Sequence, residues 1–323
     1  MATETIESYR FQFTSTDGLR IACARWDTHG PVRGIVQIAH GLGEHTGRYV
    51  GLIECLVEAG LVVYGNDHRG HGRTALSTAL SPKDFGDFGA GGFELLVEDM
   101  ARLTAIAQDE YPDAPFILLG HSMGSFAAQE SGLDLSESID GLALSGPGAL
   151  DGLVRLTQSS KLTPAEIVNA AFEPARTPCD WLSRDPATVD AFLNDPLCFG
   201  WLQPASTESF FGAASQLADP VLLRQIRKDL PIYVFSGSQD PVGQQLKGVS
   251  VLIERYRAAG IRDVSHDFYP GGRHEMLNEI NRDDVRENLL RWISGVLSGK
   301  QVEPAQQDDC GDAFIKRVRQ KKP

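Results

Sequence analysis

The hydrophobic pattern changes character along the chain. Near the N-terminus, residues 9–16 and 19–26 alternate apolar and polar positions, and Asp17-Gly18, a pair typical of tight turns, separates them. This pattern predicts an antiparallel β-hairpin. From residue 34 onward, short unbroken apolar runs replace the alternation, which is typical of strands buried on both faces of a sheet.

Stretches with helical periodicity separate these apolar runs. The predicted strands are the runs GIVQIAHG, LVVYGND, PFILLGHS, IDGLALSGP, PIYVFSGSQD and VSHDFYPGGRHE. The predicted helices lie near residues 48–59, 92–110, 123–132, 243–259 and 282–298. Strands that alternate with helices are joined by parallel crossovers. We therefore predict an α/β fold with a mainly parallel central sheet, opened by the antiparallel hairpin and flanked by helices.

Residues 148–228 interrupt this alternation. The segment is rich in proline, aspartate and aromatic residues and contains no clear β-run. Because it is too long for a plain loop, we predict a helical cap, inserted in a core that residues 1–147 and 229–299 form. The periodicity is lost again in residues 300–323, for which we expect a solvated, partly disordered tail.

Composition narrows the class of protein. Of 323 residues, 42% are hydrophobic and 23% charged, and the formal net charge of −13 disfavours nucleic acid or an anionic membrane surface as partner. No apolar run approaches the roughly 18 residues of a membrane-spanning helix, and the N-terminus lacks the pattern of a secretory signal. The five scattered cysteines favour free thiols. We expect a cytoplasmic protein without stable membrane insertion; no pattern predicts an oligomeric state.

One apolar run continues directly into Gly120-His121-Ser122-Met123-Gly124 and then into a predicted helix. The pattern Gly-x-Ser-x-Gly between a strand and a helix is typical of a nucleophile elbow. The tight turn holds the serine in strained backbone, and the two glycines remove side chains that would collide across it. We predict that Ser122 is a nucleophile and that the Met123 N–H is an oxyanion donor.

A serine hydroxyl needs a base that takes its proton, and the base needs an acid that orients it. His274 lies in a glycine-rich loop after the last predicted strand, and Asp240 follows the strand before it. The order nucleophile, acid, histidine is that of the α/β-hydrolases. In the loop after the first buried strand, His40-Gly41 turns the chain, which leaves the N–H of Leu42 as a second oxyanion donor.

Five segments together resemble the monoacylglycerol lipase and lysophospholipase-like branch of the α/β-hydrolases. They are HGLGEHTGRY, NDHRGHGRT, GHSMGS, GSQDPVG and GGRHEMLNE. The similarity extends from about residue 10 to residue 298 and includes the segment LSRDPATVDAFLNDPL of the cap. The resemblance implies a catalytic triad of Ser122, Asp240 and His274, and an oxyanion hole formed by the amides of Leu42 and Met123.

Other polar residues near these motifs are given structural roles. Asp67, His68, Arg69 and His71 lie within five residues, but the glycines among them indicate a turn with an Asp67–Arg69 pair rather than a metal site. His121 is expected to point away from the neighbouring serine and to be a packing residue.

Smaller features complete the predicted site. Glu44 and His45 are expected to be hydrogen-bonding struts beside the oxyanion loop, and Ser125, where the family usually has glycine, is expected to face the helix interior. Cys179 and Cys198 are predicted to be unpaired. Aromatic residues of the cap form core, and two or three of them are expected to line an apolar entrance: Phe172, Trp181, Phe192, Phe199, Trp201, Phe210 and Phe211.

The predicted function is therefore hydrolysis of carboxylic esters through an acyl-enzyme. The expected substrate is a small-molecule ester with an apolar acyl or aryl group, and the chemistry needs neither a metal nor an organic cofactor. The same triad also serves amidases or peptidases, C–C bond hydrolases and acyltransferases that exclude water. A ligand-binding protein that keeps the hydrolase fold with little turnover is an alternative from a different class.

Overall fold

A computed structural model describes residues 6–78 and 81–299. These residues form one eight-stranded sheet with the strand order β1-β2-β4-β3-β5-β6-β7-β8. The strands are β1 (Tyr9–Thr14), β2 (Arg20–Trp26), β3 (Gly34–Ala39), β4 (Leu61–Asn66), β5 (Phe116–His121), β6 (Gly141–Ser145), β7 (Ile232–Gly237) and β8 (Val264–Tyr269). β2 pairs antiparallel with β1 and with β4, and the remaining pairs are parallel. The predicted hairpin and mainly parallel sheet are confirmed.

Helices connect the strands. They are α1 (Val50–Glu58), α2 (Gly72–Leu76), α3 (Gly92–Glu110), α4 (Met123–Leu135), α5 (Leu150–Ser159), α6 (Pro164–Asn169), α7 (Pro186–Asn194), α8 (Pro204–Gly212), α9 (Ala214–Ala218), α10 (Pro220–Leu223), α11 (Lys247–Ala258) and α12 (Arg282–Leu297). Short 3₁₀ turns occupy Thr46–Tyr49, Pro82–Asp84, Ala170–Phe172 and Met276–Asn278. The five predicted core helices are present as α1, α3, α4, α11 and α12.

The sheet is buried on both faces, which explains the unbroken apolar runs of its strands. Every residue of β3–β7 is buried. Successive residues point to opposite faces, so Val234 and Phe235 of β7 belong to different hydrophobic clusters. One cluster lies under α1 and α12, and the other under α3, α4 and α11. Because strands β3–β8 run parallel to one another, they end at one common edge of the sheet.

The connection from β6 to β7 contains helices α5–α10. Four of the seven prolines within residues 148–228 are helix starts: α6, α7, α8 and α10 each begin with proline, whose missing N–H costs nothing in the first turn. Two of its aspartates are N-caps: Asp185 accepts a hydrogen bond from Ala187 N, and Asp219 from Val221 N. The composition that looks irregular in the sequence thus specifies short helices.

Two further expectations are that no segment is stably inserted in a membrane and that the C-terminal tail is partly disordered. No helix within residues 6–78 and 81–299 is long and apolar enough to cross a bilayer. The tail expected at residues 300–323 lies outside the described residues.

Candidate active site

Ser122 sits at a sharp turn between β5 and α4. Its backbone has φ 52° and ψ −120°, a conformation with positive φ that non-glycine residues avoid and that costs about 1–3 kcal/mol. A β-carbon at Gly120 would overlap the carbonyl of Gly124, and one at Gly124 would overlap the carbonyl oxygen of Ala39. Both glycines are therefore required if the turn is to be this tight.

Hydrogen bonds hold the turn from both sides. Ser122 N donates to the Ser145 carbonyl in the neighbouring strand β6 (2.9 Å). Ser125 is fully buried, and both its backbone N (2.8 Å) and its Oγ (2.6 Å) donate to the Ser122 carbonyl. Ser125 therefore faces the interior, as expected, and its hydroxyl helps to fix the strained serine.

Asp240 and His274 follow β7 and β8 and meet at the edge where Ser122 lies. His274 Nδ1 is 2.9 Å from Asp240 Oδ1, and both side chains are fully buried. Asp240 Oδ1 also accepts a hydrogen bond from Val242 N (2.9 Å). Burial alone lowers the pKa of the His274 imidazole, but the charge of Asp240 and its hydrogen bond outweigh burial and raise that pKa above its ordinary value.

The other ring nitrogen of His274 is available for chemistry. His274 and Ser122 line the same cavity. In the described part of the chain, His274 Nε2 is buried without a hydrogen-bond partner. The structure thus brings the two residues to one cavity without a hydrogen bond between them, and Nε2 can accept a proton there.

Two rings flank the His274 imidazole. The Trp181 ring lies 4.9 Å from it and the His121 ring 4.8 Å, measured between ring centroids. Burial, and then the charge of His274, lower the pKa of His121 to about 4, so His121 is neutral. His121 is a buried packing residue, as predicted, but the prediction missed that it lines the cavity and packs against His274.

The predicted oxyanion donors belong to backbone next to Ser122. Met123 is the first residue of α4, where a backbone N–H has no intrahelical partner. A β-carbon at Gly41 would stand only 3.1 Å from Ser122 Cβ, so the loop that carries Leu42 passes directly beside the serine. Between residues 6 and 78, and again between 81 and 299, nothing accepts a hydrogen bond from Leu42 N.

A buried charged network supports this loop. Glu44 Oε1 accepts hydrogen bonds from Gly41 N and from the Tyr49 hydroxyl, each 2.6 Å long. Arg48 Nη1 lies 2.8 Å from Glu44 Oε2 and 2.7 Å from Glu275 Oε1. Burial raises the pKa of Glu44, but the charge of Arg48 prevails and lowers it to about 2. Glu44 is thus the strut that the sequence analysis predicted.

The cavity beside Ser122 has a volume of about 280 Å³ and mostly apolar walls. Five of the seven cap aromatics named from the sequence line it, more than the two or three expected: Trp181, Phe192, Phe199, Trp201 and Phe210. Phe172 and Phe211 are not among its lining residues. No disulfide joins Cys179 or Cys198 to another residue within 6–78 or 81–299, in agreement with the prediction, and both line this cavity.

Comparison with known proteins now identifies the family. The model of the family described as "Serine aminopeptidase, S33" matches residues 30–281. The chain belongs to this family.

Relatives in the family include lipases of monoacylglycerols. The chain is 32% identical to a monoacylglycerol lipase of Mycolicibacterium smegmatis, over 87% of this chain and 95% of the relative. It is 27% identical to human monoglyceride lipase, over 87% of this chain and 88% of the relative. Among solved structures, a thermostable carboxyl esterase from Bacillus coagulans superimposes with a TM-score of 0.80 at 32% identity, covering 91% of this chain and all of that one (100%).

These comparisons confirm three predictions. The fold is that of the α/β-hydrolases, and the resemblance to the monoacylglycerol lipase branch holds over most of the chain. The relatives are carboxylic ester hydrolases, the enzyme class that the sequence predicts.

In this S33 protein the segment between β6 and β7, predicted to be a cap, makes direct hydrogen bonds to the loop that carries His274. His274 N donates to the Trp181 carbonyl (3.3 Å) and Glu275 N donates to the Leu182 carbonyl (2.7 Å). The Arg273 guanidinium adds hydrogen bonds to the carbonyls of Asp180 and Ser183 and lies over the Phe172 ring. The cap segment that precedes α7 therefore fixes the backbone on both sides of His274.

Glu279 is the buried centre of this connection. Its Oε1 accepts hydrogen bonds from Arg273 N (3.1 Å) and Arg184 N (3.0 Å), and its Oε2 accepts one from Ile280 N (2.8 Å). Arg184 Nε lies 3.1 Å from both oxygens. Glu279 lies within the motif GGRHEMLNE, but the sequence does not indicate its role because its partners lie up to 95 positions away.

The predicted Asp67–Arg69 pair is wrong. Arg69 instead donates to Asp99 and Asp17, each at 2.9 Å. Asp67 accepts hydrogen bonds from two backbone amides, including Arg73 N at 2.8 Å, and so caps the short helix α2. The turn that starts at residue 69 sends the arginine toward the hairpin and α3, away from Asp67. The helix itself was predicted only as a turn.

One group of possible metal ligands joins the cap to the oxyanion loop. His45, Asp195 and Cys198 each offer a ligand atom, and these atoms lie within 4.8 Å of one another. However, His45 Nδ1 accepts a hydrogen bond from Gly47 N (3.2 Å), so Nε2 carries the proton and donates it to Asp195 (2.9 Å). Burial raises the pKa of the Cys198 thiol. The geometry therefore fits a hydrogen bond across the cap interface, with His45 as a strut.

Proposed function

We propose that this protein hydrolyses carboxylic esters of the monoacylglycerol type, with Ser122, His274 and Asp240 as its catalytic triad. The observation that carries the proposal is the buried His274–Asp240 pair, 2.9 Å apart, whose free Nε2 shares a cavity with a serine in an elbow turn. The names of the relatives support the substrate class.

In the first half of the reaction, His274 Nε2 takes the proton of Ser122 Oγ as the oxygen attacks the ester carbonyl. Negative charge develops on the carbonyl oxygen, and the N–H groups of Leu42 and Met123 stabilise it. Asp240 holds the imidazole tautomer with the proton on Nδ1 and stabilises the positive ring. The ring then gives its proton to the departing alcohol, which leaves an acyl group on Ser122.

In the second half, water takes the place of the alcohol. His274 removes a proton from the water, which attacks the acyl-enzyme, and the same two amides stabilise the second oxyanion. Proton return to Ser122 Oγ releases the acid and restores the enzyme.

The substrate is inferred from the cavity and the relatives. The apolar walls suit an acyl chain, and a volume of about 280 Å³ suits one of medium length. We further propose that residues 148–228 act as a cap over the core formed by residues 1–147 and 229–299, since cap residues such as Trp181 and Phe192 line the cavity.

The test is steady-state hydrolysis of p-nitrophenyl esters from C2 to C12, of 1-monoacylglycerols and of a matched p-nitroanilide, with wild type and Ser122→Ala. We expect sustained ester turnover that the substitution abolishes, with a maximum at intermediate chain length. Preferred cleavage of the anilide would favour an amidase or peptidase. A single acylation without turnover would favour a ligand-binding protein, and either result would overturn the proposal.

A further inference from the structure

The charged groups around the cavity are distributed unevenly. Glu44 and Glu275 line it beside Ser122 and His274, whereas its lining contains no lysine or arginine from the described residues. The cation of the network, Arg48, is bound to both carboxylates through its two terminal nitrogens. Its Nη1 contacts both carboxylates, and its Nη2 donates to Glu275 Oε2 at 2.9 Å. An anionic substrate group therefore faces two carboxylates at the cavity wall, and no described lysine or arginine of that wall is available to bind it.

The network carries a net negative charge. One guanidinium, that of Arg48, faces two carboxylates, and the lowered pKa of Glu44, about 2, keeps that group ionised at neutral pH. The remaining donors are neutral: the Tyr49 hydroxyl binds Glu44 (2.6 Å), and Asn278 Nδ2 binds Glu275 (3.1 Å). These hydrogen bonds satisfy the oxygens without cancelling the charge. The surplus charge lies on buried side chains, where screening is weak.

The charges of Glu275 and Glu44 act on the ring of His274. His274 gives its proton to the leaving alkoxide, so the alcohol group must lie next to this ring. Glu275 is the next residue in the chain and lines the same cavity. Trp181 lines the cavity next to His274 and adds an aromatic ring that attracts cations, whereas the Phe192 ring already lies 5.0 Å from the Arg48 guanidinium carbon.

We infer that the alcohol side of the cavity selects by charge, admitting esters of neutral and cationic alcohols and excluding esters of anionic alcohols, with Glu275 as the specificity-determining residue. The inference rests on the proposed ester hydrolysis and adds the charge class of the alcohol. The carboxylates repel an anionic group during the approach to His274, whereas a neutral polyol meets no such repulsion. A quaternary ammonium is attracted by the same charge and by the Trp181 ring.

The test uses three butyrate esters whose alcohols differ mainly in charge. Choline butyrate is the cation, 3,3-dimethylbutyl butyrate is its neutral isostere, and 3-sulfopropyl butyrate is the anion. For wild type we expect kcat/KM for the choline ester to equal or exceed that of the isostere. We expect the sulfopropyl ester to fall at least about tenfold below the isostere, the factor for one weakly screened charge a few ångströms away.

Glu275→Gln makes the network neutral and is the decisive variant. The penalty for the anionic ester is the ratio of kcat/KM for the isostere to kcat/KM for the sulfopropyl ester, measured on the same enzyme preparation. We expect this ratio to fall at least about threefold in the variant. We expect Glu44→Gln to lower this ratio as well. Glu58→Gln removes one charge from the exposed end of α1 and should leave the ratio unchanged. A ratio near one in wild type, or a ratio that Glu275→Gln does not move, overturns the inference.

Hydrolysis of p-nitrophenyl butyrate, measured in parallel, separates this inference from the proposed function. The enzyme could hydrolyse p-nitrophenyl butyrate and either show equal kcat/KM for the three alcohol esters or accept none of them. Either result overturns the charge selectivity alone. If p-nitrophenyl butyrate is also inert, the proposed ester hydrolysis fails first and the inference fails with it.

Discussion

Glu279→Gln removes the charge at the centre of the connection between the cap and the loop that carries His274. The carboxylate is fully buried and accepts hydrogen bonds from three backbone amides and from Arg184 Nε. In the glutamine variant one of the two oxygens becomes an NH₂ group, which faces N–H donors that it cannot bind. Arg184 also loses its partner charge.

The expected cost follows from the lost contacts. Hydrogen bonds to a charged acceptor contribute about 1.5–3 kcal/mol each, and breaking one member of a buried ion pair costs about 3–5 kcal/mol. Because Arg184 keeps a hydrogen bond to Asn281 (2.9 Å) and is partly exposed, we expect the lower end, a loss of about 3 kcal/mol in the free energy of unfolding. A displacement of His274 by even about 1 Å costs on the order of 100-fold in rate.

Two measurements check this prediction. Urea unfolding at pH 7 gives the stability, and kcat and KM on a p-nitrophenyl ester separate positioning from substrate binding; we expect kcat to fall at least about tenfold with KM little changed. The matched control is Glu287→Gln, an exposed residue of α12 that pairs with Arg291, for which we expect a change within about 0.5 kcal/mol. If Glu279→Gln stays within about 1 kcal/mol and twofold in kcat, Glu279 does not position His274.

The remaining predictions concern the proposed triad, the elbow and the buried histidines. Because the pKa of His274 is raised, kcat/KM should fall with acidification through a midpoint above about 6.5, and Asp240→Asn should lower that midpoint and reduce kcat roughly 10⁴-fold in a pH–rate profile. Gly124→Ala places a methyl group against the Ala39 carbonyl, and we expect the free energy of unfolding in urea to fall by about 1–3 kcal/mol. Covalent labelling of Ser122 by a fluorophosphonate should become much slower, and an unchanged labelling rate would contradict our account of the elbow. Burial, and then the charge of His40, lower the pKa of His71 to about 3, so the stability that neutral His71 contributes is complete above about pH 6.5 and is lost as the pH falls toward 3. Urea unfolding between pH 7 and 4 measures this loss, and we expect the free energy of unfolding to depend less on pH in His71→Gln.

The parts of the fold that could be predicted depend on local patterns. Unbroken apolar runs mark β3–β7 because these strands are buried on both faces, and the hairpin follows from alternation around Asp17-Gly18. The elbow was also recognisable locally, since a tight turn from strand to helix needs glycines at positions 120 and 124. Asp240 and His274 could be placed near each other because parallel strands end at a common edge.

The parts that could not be predicted depend on contacts between distant segments. Asp67 and Arg69 look like a natural pair in sequence, but Asp99 lies 30 residues from Arg69 and competes successfully for it once α3 packs on the sheet. The contact between Trp181 and His274, and the connection through Glu279, arise from packing of the cap on the core. No local periodicity reports such contacts, and α2, with five residues, is too short to give a helical pattern.

The connection between the cap and the His274 loop bears on recombination between members of the S33 family. A chimera that takes its cap from a relative and splits the chain at the ends of the insertion imports a foreign partner for Arg273 and Glu279. In such a hybrid, Arg273 and Glu279 would contact non-native residues next to the His274 imidazole. Crossover points placed after residue 188, so that residues 180–188 stay with their own residues 273–282, would exchange the part of the cavity wall that residues 192–210 contribute and leave the histidine in its native setting.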